Sequence, residues 1–182
     1  MIIIVDGKIG SGKTTISQKL SDKYNLHHFN CDEEVKKIYE NVEVKNKILN
    51  ILKIKELDFD EMAKIIFTNK VKRKKIEDLI FLELNNRVES LNEKNIVLEG
   101  YNAMKAFKNF DIILLCSASE EVREKRVLKR DNRTKENFSL INSVQKNTHL
   151  LNNPTYVINT EEDIDVQIEK VMEIYDKYRN IS

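Results

Sequence analysis

Glycine is scarce in this chain: there are four in 182 residues, and three of them crowd into Gly7-Lys8-Ile9-Gly10-Ser11-Gly12. A residue nearly absent elsewhere but concentrated there marks a backbone that must turn tightly around something. Proline is scarcer still, with Pro154 alone, and no linker or low-complexity tract breaks the sequence. The two cysteines, Cys31 and Cys116, lie far apart. That usage builds no disulfide framework and fits a reducing compartment. Long hydrophobic runs are missing. The N-terminal one, Met1 to Val5, is too short for a signal peptide or a membrane span. Charge of one sign is missing too: 31 basic residues face 30 acidic ones, for a net +1. No global field draws the chain to nucleic acid or an anionic membrane. The expectation is a cytoplasmic protein, a monomer or small homo-oligomer, with no membrane association and no stable nucleic-acid partner. Arginine is also sparse, seven against 24 lysines. Because arginine is the better fork for phosphate, each one carries more weight.

A length of 182 residues fits one domain, 1–182, with room for a core and a small insertion. Short apolar runs at Ile2–Val5, Leu26–Phe29, Ile96–Leu98, Asp111–Leu115 and Tyr156–Ile158 predict buried strands. Between them the spacing is helical. Ile16, Leu20 and Tyr24 share one face, as do Ile76, Leu79, Ile80, Leu84, Val88 and Leu91. Ser117 with Glu120, and Thr160 with Asp163, predict capping boxes that open helices to about Arg130 and through Tyr178. Alternating strands and helices imply an α/β fold, a five-stranded parallel sheet with helices on both faces. Ligands in such sheets sit at the carboxyl ends of the strands. The interval 33–91 has no strand signal and is too long for one crossover, so it reads as a helical insertion covering an acceptor.

Gly7 to Thr14 matches G-x-x-x-x-G-K-[ST], after a strand and at the start of a helix. Such a loop turns backbone N–H groups around phosphate oxygens, and the helix adds its positive end. Gly7, Lys8, Ile9, Gly10, Ser11, Gly12, Lys13, Thr14 and Thr15 are therefore the expected nucleotide site. Lys13 reaches for the β- and γ-phosphates, and Thr14 for Mg²⁺. A guanine switch does not follow. Val97 stands three residues before Gly100, where D-x-x-G needs Asp, and neither Asn46-Lys47 nor Asn69-Lys70 has an Asp two residues on.

A small-molecule kinase needs a base, charge for the moving phosphoryl group and a lid. Asp32 follows the second strand and is the candidate base; its structural alternative is a helix N-cap. Glu33 and Glu34 read as first-turn charges. Glu99 ends the third strand, where it can hold metal-bound water or the base, or pair with a lysine. The stretch EEVREKRVLKRDNRTKE holds four of the seven arginines, a candidate lid over 119–147. Arg126 and Arg130, at i and i+4, are assigned to the phosphoryl group, whereas Arg123 reads as part of a solvated helix with Glu–Arg pairs. Arg133 lies beyond. His27, His28 and Cys31 could suggest a metal, but strand alternation sends the two histidines to opposite faces and no second cluster exists.

In order, KIGSGKTT, Asp32 in FNCDEEV, the helical LDFDEMAKIIFTNKVKRKKIE, KRVLKRD, LINSVQ and YVINT resemble the dephospho-coenzyme A kinase family nearly end to end. The resemblance implies a three-layer P-loop kinase fold with an acceptor-binding insertion and a lid. It implies transfer from ATP, with Mg²⁺, to the ribose 3′-hydroxyl of dephospho-coenzyme A. Asp32 would be the base, Lys13, Arg126 and Arg130 would steady the phosphoryl group, and Asn159 would lie near the adenine. The chain departs from the family on the acceptor side. Phe59 replaces an arginine, Phe81-Leu82 replaces His-Pro, EGYNAM replaces a proline-bearing stretch, and one extra residue precedes Gln145. Lys70, Lys72, Arg73, Lys74, Lys75 or Arg87 could hold acceptor anions instead, or form a solvated helix start. A nucleoside monophosphate or deoxynucleoside kinase is the nearest alternative. A non-catalytic nucleotide- or nucleic-acid-binding module is the alternative from another class.

Overall fold

The computed structural model describes residues 1–107, 109–131, 133–146 and 154–179. Its elements in chain order are β1 (Ile2–Gly7), α1 (Lys13–Tyr24), β2 (His27–Asn30), α2 (Cys31–Glu40), α3 (Val42–Leu52), α4 (Phe59–Thr68) and α5 (Lys70–Ser90). There follow β3 (Ile96–Glu99), α6 (Ala103–Ala106), β4 (Ile112–Ser117), α7 (Glu120–Asp131), α8 (Lys135–Lys146), β5 (Tyr156–Asn159) and α9 (Ile164–Arg179). Asn132 and Asn147 of the expected lid, and the side chain of Tyr178, lie outside the described residues.

Two compact units divide the chain. The first holds Met1–Asn30 and Glu93–Ser182, the second Cys31–Asn92. In the first, five parallel strands pair in the order β2-β3-β1-β4-β5. The register aligns their carboxyl ends: Asn30 opposite Glu99, Gly7 opposite Cys116, and Ser117 opposite Asn159. The strands run past their apolar stretches into these polar residues, so chemistry-bearing groups collect at one sheet edge. Alternation puts Ile3 and Val5 on one face, where they join Ile16 and Leu20 of α1 and Ile168, Val171 and Tyr175 of α9. Tyr24 stacks on Tyr175 with ring centroids 4.1 Å apart. A fully buried Ile such as Ile3 contributes about 1.5–3 kcal/mol through burial. β1 lies mid-sheet between β3 and β4, so its glycine loop hangs from the central strand.

The second unit is helical. Its core includes Ile38, Val44, Ile48, Leu52, Ile76, Ile80 and Leu84, each at most 7% exposed. Short polar residues start the helices. Asn41 accepts from the N–H groups of Glu43 and Val44, Asp58 from Glu61, and Asn69 from Lys72.

The two expected capping boxes form differently. Ser117 is the last residue of β4, and α7 starts at Glu120. At α9 the cap is Asp163, whose Oδ1 accepts from Asp165 N at 2.8 Å. Thr160 is instead buried, with its hydroxyl donated to the Ser11 carbonyl at 2.8 Å. Pairing of β4 with β5 draws the polar ends of both strands into the sheet, and that overrides the local capping pattern.

Candidate active site

The loop from Gly7 to Gly12 leaves the end of β1 and enters α1. Gly10 has φ +76°, and a Cβ there would lie 2.6 Å from the Arg123 carbonyl oxygen, so a side chain is excluded on both counts. Gly12, the N-cap of α1, also has positive φ, +89°, and offers no side chain to the first amides. No acidic residue stands in that first turn. No side chain of that turn itself offsets the partial positive charge of the helix, the feature that an anion site uses. Lys13 Nζ lies 3.3 Å from the Lys8 carbonyl. Thr14 and Thr15 are exposed.

Glu99 organises the neighbouring strand ends. Its Oε1 accepts from the Thr14 hydroxyl at 2.5 Å, and its Oε2 lies 2.9 Å from His28 Nε2 and 3.3 Å from Asn30 Nδ2. Burial pushes the Glu99 carboxyl up, but the bonds from His28 and Thr14 and the charge of Lys13 outweigh it and hold the group below its ordinary range. Thr14 and Glu99 are the two residues assigned to a metal. Their hard oxygens suit Mg²⁺, which usually takes one or two protein ligands and completes its shell with phosphate and water. Among the described residues no three His, Cys, Asp or Glu side chains converge into a metal site of their own.

Several residues at this edge were not singled out by sequence reasoning. His28, set aside as a metal ligand, sits beside Glu99. The signal was available: His28 and Asn30 are two apart on β2, so they share the face that meets Glu99. Asp6, 1% exposed, accepts from Gly7 N at 2.6 Å and Asn102 N at 3.1 Å. Burial pushes its carboxyl up to about 6, against the pull of those amides and of Lys13. Arg123 corrects its expectation outright. It is 4% exposed rather than solvated, and it donates to Ile9 O at 3.2 Å, Ala118 O at 3.2 Å and Asn142 Oδ1 at 3.0 Å. Helix periodicity gave no means of telling which of its faces would turn inward.

Arg126, expected at the phosphoryl group, donates to Thr160 Oγ1 at 2.9 Å, Thr160 O at 2.7 Å and, more weakly, Gly10 O at 3.4 Å. Arg130, one turn on, is exposed, as is Arg133. Asn159 braces the turn after β5. Its Nδ2 donates to Glu162 at 2.9 Å, and its Oδ1 accepts from Glu161 N at 3.1 Å. Asp32 belongs to the second unit, as the exposed second residue of α2. In that unit Arg87 pairs with Glu34 at 2.8 Å, Arg73 with Glu77 at 3.9 Å and Lys74 with Asp78 at 3.4 Å. Lys72 Nζ donates to the Leu52 carbonyl. Much of the basic run is thus engaged along its own helices. Among the described residues no helix is long and apolar enough to cross a membrane.

A five-stranded parallel sheet in this order, with a glycine loop between its central strand and a helix, is the fold of the P-loop kinases. The chain belongs to the cytidylate kinase-like family, whose profile matches residues 2–153. It is 26% identical to a dephospho-CoA kinase of Rickettsia felis, over 94% of this chain and 96% of that one. It is 30% identical to a cytidylate kinase of Sulfurisphaera tokodaii, over 72% of this chain and 63% of that one. In three dimensions it resembles the protein TT1252 of Thermus thermophilus, with a TM-score of 0.72 at 20% identity, over 95% and 96% of the two chains. The chain is a P-loop kinase.

Proposed function

We propose that the chain transfers the γ-phosphate of ATP to the ribose 3′-hydroxyl of dephospho-coenzyme A. The observation that carries this reading is reach. Similarity to a dephospho-CoA kinase spans 94% of the chain, whereas similarity to a cytidylate kinase stops at 72%. The ordered motifs, from the glycine loop to YVINT, agree with the longer match.

On this reading the loop amides, the α1 amino terminus and Lys13 hold the triphosphate. Thr14 and Glu99 would hold Mg²⁺, which when bound would offset the charge of the phosphates. Asp32 accepts the proton of the attacking hydroxyl, which raises the nucleophilicity of that oxygen as the bond to phosphorus forms. Arg130 meets the developing charge, and Asn159 and its turn flank the adenine. The helical unit 31–92 takes the acceptor. Its aromatic pair, Tyr39 and Phe59, has ring centroids 5.5 Å apart, and Phe59 is 57% exposed. Asp32 and Tyr39 are seven residues apart on α2, hence on one helical face. That shared face supports the reading of Asp32 as base, with an aromatic surface near Tyr39 for the planar ring of the guest.

The competing reading is a pyrimidine nucleoside monophosphate kinase, favoured by the family to which the chain belongs. A coupled assay of ADP release with dephospho-coenzyme A, CMP, UMP and a panel of deoxynucleosides separates the two. Turnover with dephospho-coenzyme A at least about tenfold above any nucleotide is expected. Turnover with CMP alone would replace the reading.

A further inference from the structure

The loop carbonyls of Ile9, Gly10 and Ser11 are each bonded by a side chain remote in sequence. Arg123 Nη1 donates to Ile9 O at 3.2 Å, Arg126 Nη1 to Gly10 O at 3.4 Å, and Thr160 Oγ1 to Ser11 O at 2.8 Å. Two of these donors, Arg126 and Thr160, are also bonded to each other, since Arg126 holds both Thr160 Oγ1 and Thr160 O. Arg123 is fixed by Asn142 and by Phe138, whose ring centroid lies 5.8 Å from the guanidinium carbon. The opposite side of the Ile9 residue is held too, since Ile9 N donates to Gln145 Oε1 at 2.8 Å. Arg123, Asn142, Gln145 and Thr160 are all under 9% exposed; the bonds from Arg123 to Asn142 and from Thr160 to Ser11 are buried, and the others are partly buried.

In a trans peptide the C=O and the following N–H point in opposite directions. Fixing the carbonyls of Ile9, Gly10 and Ser11 therefore fixes the amides of Gly10, Ser11 and Gly12. The Ser11 amide closes the loop by donating to the Lys8 carbonyl at 3.1 Å, and those of Gly10 and Gly12 are central groups that would cradle a phosphate. Gly10 and Gly12, with no Cβ to restrict them, would otherwise sample many orientations. We propose that Arg123, Arg126 and Thr160 are positioning residues that pin the carbonyl face of the phosphate loop and so orient its amides before nucleotide arrives. Arg126 thereby acts on the loop and not on the transferring phosphoryl group. The inference rests on the nucleotide-binding part of the proposed function.

The experiment compares ADP with ATP. A side chain that touches only the γ-phosphate affects ATP and leaves ADP alone. One that shapes the loop affects both alike, because both place a β-phosphate in it. Calorimetry with Mg²⁺ on Arg126→Gln, Arg123→Lys, Thr160→Val and Thr160→Ser reads this directly. Arg126→Gln and Thr160→Val are expected to raise the Kd of ADP and of ATP by the same factor, about tenfold, the scale of one or two lost hydrogen bonds. Arg123→Lys, which keeps the charge but loses the fork, is expected to weaken both nucleotides alike. Thr160→Ser, which keeps the hydroxyl, is expected to bind within about twofold of wild type. Amide exchange at Gly10, Ser11 and Gly12 in the nucleotide-free protein is expected to quicken in Thr160→Val and not in Thr160→Ser. Unchanged ADP affinity in Arg126→Gln with lost ATP affinity or kcat would overturn the inference, as would wild-type affinity in Thr160→Val. Wild-type protein that binds neither nucleotide would instead remove the proposed function.

Discussion

The two units of the chain handle charge in opposite ways. At the strand ends of the first unit, Asp6, Glu99 and Arg123 are each at most 4% exposed and bonded mainly to backbone or to neutral side chains. In the helical unit, charged residues pair with each other along helix surfaces, as Lys37 with Glu34, Arg73 with Glu77 and Lys74 with Asp78. Buried, backbone-bound groups are rigid and costly to misplace. Exposed pairs one turn apart are each worth about 0.3–0.5 kcal/mol and rearrange readily. On the proposed reading, a triphosphate site suits the first arrangement and an acceptor surface suits the second.

The comparison breaks most visibly at Asp32. Asp32→Asn is expected to lower kcat by roughly 10²–10⁴, the range for loss of a general base, while ATP binds within about threefold of wild type. Equal loss of ATP binding, measured by calorimetry, would move Asp32 from the acceptor's side to the nucleotide's. Next in size is Lys13→Met, which on this reading lowers turnover by roughly 10²–10³ through lost stabilisation of phosphoryl charge without altering thermal stability by more than a few degrees. Paired steady-state assays and melting curves test it.

Asp6 sharpens the contrast through pH. Its carboxyl is raised from 3.8 to about 6, so the stability this group contributes is complete below 3.8 and is lost as pH rises through 6. Asp6→Asn retains an acceptor for Gly7 and Asn102 but never ionises. It is expected to gain roughly 2–3 kcal/mol over wild type at pH 7, from about 1.4 kcal/mol per unit, with the gain gone at pH 3.5. Melting temperatures across that range measure it. Smallest of all, Lys74→Gln should change stability by less than about 0.5 kcal/mol, as exposed pairs do; a larger loss in urea titration would show that the helical surface is not merely solvated.

The strands were legible because a parallel sheet buried on both faces leaves continuous apolar runs, such as Ile2–Val5. The glycine loop was legible because its conformation admits few other residues. What stayed hidden depended on partners distant in sequence. Nothing near Arg123 announces that Ile9, Asn142 and Phe138 will close around it. Thr160 and Asp163 both fit a helix start, and only the pairing of β5 with β4 decides that Asp163 caps while Thr160 turns back to the loop. The His28 and Asn30 pair could have been read from alternation along β2, had Glu99 been taken as their partner.

The bond from Thr160 to Ser11 spans 149 positions, and this bears on how the protein is made. Translation delivers the glycine loop long before its last brace. A nascent chain released only as far as α8 would expose β4 along an unpaired edge. Its ribosome-bound form should not acquire nucleotide affinity until β5 and the residues just after it have cleared the exit tunnel.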